Sequence, residues 1–302
     1  REELDAYRSR PDKSLLSSAE LRWVEDQTRA AREAGQTWTI FAQQIVMADL
    51  RFADFEGAVR AARARGEAEL AREWDSQVRN ATCSAEGTGK PLARSYAPTA
   101  HLADEFLQLQ ELSQGECLGG RSGFVHGKYG IPFNLDQWSG YLAERERFFE
   151  AVARANDAKG GHENALVVYS GDSHNAWASD LRGGRGEQGP AAGDVVAAEY
   201  GVTSVSSTGF ESFMRFVSPE LVTAGFEAAN PDLKYANTKE RGFLLVDLTH
   251  EAHKGRYVYV DTVASSQYKT FCEASLDYGS GVAERRSGLT RAACPPELLQ
   301  EL

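Results

Sequence analysis

Read by where its apolar residues fall, the chain alternates short buried-strand runs with amphipathic helical stretches. Leu21, Val24, Thr28 and Ala31 recur at helical intervals behind the capping-box spacing Ser17-Ser18-Ala19-Glu20 and stop at Gly35, which predicts a helix over 18–34. Residues 37–47, TWTIFAQQIVM, are rich in β-branched and aromatic side chains and predict a buried strand. Trp138, Tyr141, Leu142, Phe148, Phe149 and Val152 form a broad apolar stripe around charged Glu144 to Arg147, predicting a helix capped by Asn134 or Asp136. Leu166-Val167-Val168-Tyr169 is a continuous apolar run, the mark of a strand covered on both faces. Residues 195–207 predict a further strand, 210–229 a largely helical segment broken by Asn230-Pro231, and 242–249 with 255–263 a hairpin.

Between these elements the pattern thins. From 51 to 77 charges alternate with alanine over a narrow apolar face, 78–97 reads as loop, 99–112 as a short amphipathic helix and 115–130 as loop again. Together, 51–130 reads as an insertion into a domain spanning 1–263, followed by a loosely attached polar tail over 264–302. Residues 181–193 form a Gly-rich loop without the spacing of a phosphate-binding loop. Strand runs and helices in this order predict an α/β or α+β fold with a mixed sheet, in which 166–170 is a central strand flanked by the 38–45 and 197–206 runs.

Composition narrows the partners. A formal net charge of -11 with no basic block argues against wrapping nucleic acid or an anionic membrane and leaves small molecules. No apolar run is long enough to span a bilayer, and no signal peptide is evident. The opening REELDAYRSR reads as a processed or truncated start. Four cysteines lack zinc-ribbon spacing. Cys272 with Cys294, and Cys83 with Cys117, are placed to staple loops in an oxidising compartment, and four unpaired thiols fit the spacing equally well.

The chemistry concentrates after Tyr169. Ser170-Gly171 ends the apolar run, and Asp172 and His174 follow two residues apart, so in an extended segment a carboxylate and an imidazole would face one point beyond the strand, a donor pair suited to a hard or borderline metal. The same two residues also read as a turn cap and an ordinary loop histidine. A third reading takes Gly171-Asp172-Ser173 as the serine block of an SGNH-type esterase, with Asp247 and His250 completing it. Block order counts against that, because Asp247 ends one strand run and another follows at once. Gln43 and Gln44 end the 37–47 run, where their amides would contact a ligand or satisfy loop backbone, and His101 and His126 read as solvated.

Four blocks, DQWSGYLAERERF at 136–148, NALVVYSGDSHNAWASDL at 164–181, AAEYGVTSVSSTGF at 197–210 and NPDLKYANTKERGFLLVDLT at 230–249, resemble in order and wording the C-terminal half of PhoD-like alkaline phosphatases, within the calcineurin-like metallophosphoesterase superfamily. The resemblance implies a two-sheet sandwich flanked by helices, an extracytoplasmic or secreted enzyme hydrolysing phosphate mono- or diesters, and a cluster of calcium and iron. It places Asp172 and His174 at the family's metal ligands, Gln43 and Gln44 near the site, and Asn230, Lys234, Tyr235 and Arg241 among substrate or supporting contacts. Arg145 and Arg147 are further cations by charge, better suited to surface salt bridges. The family's N-terminal half, with its remaining ligands, has no counterpart here, so these residues alone are expected to be inactive. A non-catalytic secreted domain is the remaining alternative.

Overall fold

The structure, a computed structural model, describes residues 2–83, 127, 130–156, 164–183, 193–215, 217–296 and 298. In chain order its elements are α1 (Glu2–Arg8), α2 (Ser18–Glu33), β1 (Trp38–Ala42), α3 (Phe55–Ala64), α4 (Ala68–Cys83), a 3-10 turn (Trp138–Gly140), α5 (Leu142–Asn156), β2 (Ala165–Ser170), β3 (Ala176–Arg182), β4 (Val195–Gly201), α6 (Phe210–Phe213), α7 (Pro219–Ala229), β5 (Leu233–Asn237), β6 (Arg241–Leu248), β7 (Ala252–Val260), β8 (Thr270–Gly279), α8 (Val282–Ser287) and β9 (Thr290–Ala292). The chain divides into two compact units, one from Arg1–Arg8, Asp49–Gly140 and Phe210–Pro231, the other from Ser9–Ala48, Tyr141–Gly209 and Asp232–Leu302.

The first unit is helical among its described residues. Asp54 caps α3 by accepting from the Gly57 amide, and the stripe Phe55, Ala58, Val59 and Ala62 is buried. The Asp54 amide donates to the Gly225 carbonyl at 2.8 Å, binding α3 to α7. Phe133 packs edge-on against Phe52 and Phe226, and Phe210 joins them. Within this unit the described part of the segment from 51 onward packs its narrow apolar face against 210–231. Residues 78–83, expected as loop, continue α4, whose first turns are anchored by buried Ala71 and Trp74, so that the helix extends from an already formed nucleus. The expected 99–112 helix, His101, His126 and nearly all of 115–130 lie outside the described residues.

The second unit holds both sheets. The five-stranded sheet has the order β1-β2-β4-β3-β5, with β1, β2 and β4 parallel and β3 antiparallel to β4 and β5. The 166–170 run thus has the two neighbours that its apolar pattern requires. The 37–47 run was expected to be buried, but β1 is the sheet edge, with Ile40 42% exposed. The second sheet is antiparallel, β6-β7-β8-β9. The expected polar tail is in fact part of it: Ala274, Leu276 and Tyr278 of β8 alternate inward with Ser275 and Asp277 between them. Cys272 and Cys294 are disulfide-bonded, Cα atoms 6.0 Å apart, which ties β8 to the end of β9.

The two sheets face each other across one core that draws Ala165, Val167, Ala178, Tyr200 and Tyr235 from the first and Tyr257, Tyr259, Leu276 and Tyr278 from the second. Two of the buried hydroxyls bridge the sheets, Tyr257 donating to the Trp177 carbonyl at 2.6 Å and Tyr200 to the Leu276 carbonyl at 2.9 Å, whereas the Tyr278 hydroxyl has no hydrogen-bond partner among the described residues. On the opposite face of the first sheet Phe41 packs against Phe148 of α5. Helix α2 carries the capping box read from Ser17 and Glu20, whereas α5 starts only at Leu142, with Trp138–Gly140 in a separate turn. A side chain at Gly140 would meet the Leu135 carbonyl, a close approach that only glycine permits.

Candidate functional site

The parallel strands β1, β2 and β4 end on one edge of the first sheet, and the three segments that follow them are stitched together there. The Gln43 amide donates to the Tyr169 carbonyl at 3.0 Å, the Gly171 amide to the Gln44 carbonyl at 3.1 Å and the Val202 amide to the Ser170 carbonyl at 2.7 Å. Ligands of open α/β sheets bind at the carboxyl ends of parallel strands, and Asp172 and His174 stand in the turn just beyond β2.

That turn is not extended, as the two-residue spacing assumed. Asp172 has φ 61° and His174 φ 58°, both left-handed, and they are the described non-glycine residues with positive φ. Each such residue costs about 1 kcal/mol or more, least for Asp, Asn and His, and persists where the surroundings over-determine it. The surroundings here are explicit. His174 Nδ1 lies 2.9 Å from the Thr208 carbonyl oxygen and so carries the proton, which leaves Nε2 as an outward acceptor. The His174 carbonyl accepts from Thr203 Oγ1 at 3.2 Å and from the Arg241 guanidinium at 3.1 Å. Gly209 completes the cradle: a Cβ there would stand 2.6 Å from Arg241 and 2.8 Å from the His174 carbonyl oxygen. Asp172 and His174 are both exposed, and the Asp172 carboxylate makes no hydrogen bond or ion pair among the described residues.

Arg241, buried, holds the His174 turn and also donates to the Glu240 carbonyl at 2.7 Å. Gln44 reaches the site through its backbone, and the Gln43 amide closes on Ile45, accepting from its N–H at 3.0 Å. Tyr235 faces the inter-sheet core, bonded to Tyr259 and Glu273 at 2.7 Å each, and its burial and Glu273 raise its pKa. Lys234 pairs with buried Asp180 at 3.2 Å, and Asp180 also accepts from the Leu289 amide at 2.8 Å. Asn230, in the helical unit, spends its amide on Arg51 and the Phe226 carbonyl. Arg145 donates to the Met47 carbonyl at 2.9 Å, and Arg147 pairs with Glu144 and the Pro11 and Lys13 carbonyls.

The serine-esterase constellation does not form. Ser173 Oγ accepts from the Trp177 indole at 2.7 Å and donates to the Asn175 carbonyl at 3.3 Å. His250 bonds Thr37 at 3.1 Å, and Asp247 pairs with Arg256. Arg241 opens β6 beside His174, so Asp247, six residues along it, lies on the order of 20 Å from the serine at about 3.4 Å per residue.

Thr203, Thr208 and Gly209 have as their sequence signal only the run of small and hydroxyl residues that follows the β4 pattern, and Asn175 only its place next to His174. Among the described residues no three His, Cys, Asp or Glu side chains gather as a metal-ligand group.

A family model described as PhoD-like phosphatase matches residues 1–257. The chain belongs to that family. Among curated proteins, alkaline phosphatase D of Bacillus subtilis (strain 168) is 28% identical over 146 residues, covering 48% of this chain and 22% of its own length. A solved structure of PhoD matches with a TM-score of 0.52 at 16% identity, over 94% of this chain and 36% of that one, a likeness of fold. The chain thus spans well under half the length of either PhoD relative.

Proposed function

We propose that this PhoD-like chain forms part of a metal-dependent phosphoesterase of the metallophosphoesterase sandwich type, hydrolysing phosphate mono- or diesters, with Asp172 and His174 as metal ligands. The observation that carries the reading is the left-handed pair itself: Asp172 and His174 are held off ordinary backbone geometry, with His174 Nδ1 engaged by Thr208 and Nε2 left to donate its lone pair. Of the metals of the family resemblance, calcium takes a carboxylate oxygen such as that of Asp172, and iron takes an imidazole nitrogen such as that of His174. Bound metal would neutralise charge on the phosphoryl oxygens and lower the pKa of bound water. On a chain of net charge -11, an anionic ester needs that local reversal of sign.

Two ligands fall short of the six or more that calcium takes, so the remaining ligands come from the part of a PhoD-like chain that these residues do not span. By themselves the 302 residues bind metal poorly and turn over nothing. The Cys272–Cys294 bond supports an extracytoplasmic location. The test is elemental analysis and a chromogenic phosphodiester assay on these residues alone, on a chain of full family length, and on that chain with Asp172→Asn or His174→Ala. Chelator-sensitive turnover confined to the longer wild-type chain is expected. Turnover that survives both substitutions, or stoichiometric metal in the shorter chain, would overturn the reading.

A further inference from the structure

A buried carboxylate next to this site has no part in ligand binding as described. Glu199, on β4, is fully buried, and its two oxygens gather three donors: the Met47 amide at 2.6 Å, the Ala48 amide at 2.7 Å and Ser170 Oγ at 2.7 Å. Burial raises its pKa, against the pull of those donors and of Arg145. A carboxylate in such surroundings is tolerated only when its lone pairs are filled, so the side chain marks a place where backbone donors require an acceptor. Val46 and Met47 are wholly buried outside any strand, and Arg145 takes the Met47 carbonyl from the other side.

What Glu199 touches brackets the Asp172 turn. Ser170 is the last residue of β2, two before Asp172. Met47 and Ala48 fix the segment that leaves Gln44, whose carbonyl receives the Gly171 amide. We infer that Glu199 is a positioning residue for the candidate site: by holding Ser170 and the Met47–Ala48 amides with one carboxylate, it sets the direction in which Gly171, Asp172 and His174 leave the sheet. This rests on the ligand role proposed for Asp172 and His174.

Glu199→Gln is the informative substitution. It keeps the shape but exchanges one acceptor oxygen for an NH2 donor. In one orientation that donor meets the Ala48 amide, in the other the Met47 amide, and only the Ser170 hydroxyl can reverse its role. The partner variant is Val167→Ala, a cavity in the inter-sheet core away from these contacts, to be compared at equal loss of melting temperature.

Two readouts separate positioning from stability. The first is the 15N shift pattern of the His174 imidazole in the 302-residue chain, assigned among six histidines by His174→Ala. The wild type shows one tautomer, protonated at Nδ1, and Glu199→Gln moves the two nitrogens toward their average, while Val167→Ala leaves them unchanged. The second is calcium affinity of the chain of full family length, expected to weaken about tenfold or more in Glu199→Gln only, the usual size of an outer-contact loss at a metal site. A Glu199→Gln protein that melts earlier but keeps the wild-type imidazole pattern overturns the inference, as does equal weakening of calcium binding in both variants. Should the longer wild-type chain bind no calcium, the phosphoesterase reading fails, and the imidazole pattern still decides the role of Glu199.

Discussion

Gly209→Ala tests whether the His174 turn is held as tightly as its contacts indicate. A methyl group there would stand 2.6 Å from the Arg241 guanidinium, 2.6 Å from Asn175 Oδ1 and 2.8 Å from the His174 carbonyl oxygen, all well inside van der Waals contact. None of the three can give cheaply. Arg241 and Asn175 are 4% and 2% exposed, and the third atom is backbone of the turn itself. Relief requires the turn to shift, weakening the bonds from Arg241 and Thr203 to the His174 carbonyl. The expected cost is about 2 kcal/mol, the middle of the range for overpacking, and at about 2–4 °C per kcal/mol the melting temperature falls several degrees. Gly171→Ala is the control from the same site. Its Cβ would meet only the Gln44 carbonyl oxygen, at 3.8 Å, so it should be neutral or stabilise by up to about 1 kcal/mol through the unfolded chain. Urea unfolding of both variants is the assay. Equal stability of Gly209→Ala and Gly171→Ala would refute the account of a tightly packed turn.

Further outcomes follow from the same contacts. Cys272→Ser should lose about 3 kcal/mol, because the bond closes 22 residues of sequence in the unfolded chain, and thiol titration under denaturation should find Cys272 and Cys294 protected. Asp180→Ala strands the Lys234 ammonium and the Leu289 amide around a buried side chain, with an expected loss of about 3–5 kcal/mol in urea unfolding. Burial lowers the pKa of His253 from 6.5 to about 4, and its Nε2 is bonded to the Tyr169 hydroxyl. The unfolded chain therefore takes up the proton first as pH falls. The contribution is full above pH 6.5 and is lost as pH drops through about 4, on the order of 3 kcal/mol. Unfolding measured across that window should depend less on pH in His253→Phe than in the wild type, and an unchanged slope would exclude His253 as the source.

Local chemistry determined a good deal of this protein from sequence alone. The Ser17–Glu20 capping box and Gly35 bounded α2, because a helix end must satisfy its own backbone groups within a few residues. The unbroken apolar run at 166–169 identified a strand with neighbours on both sides, because only full burial tolerates such a run. The Gly-Asp-Ser-His block after it was legible as the candidate site.

Only the tertiary structure decided the rest. AWASDLR and LKYAN carry few β-formers, and they became β3 and β5 because β3 pairs with β4, β5 pairs with β3 and the facing sheet covers them, so packing overrode propensity. The ASLDYG alternation of β8 was legible but short, and its polar surroundings disguised it until β7 supplied a partner. Residues 51–83 showed too thin an apolar face to predict a core they share with 210–231, more than a hundred residues away. The turn at Asp172 and His174 was visible as composition and wrong as geometry. Its left-handed backbone is imposed by Thr203, Thr208, Gly209 and Arg241, and contacts between residues so far apart in sequence exist only once the sheet has brought its strand ends together.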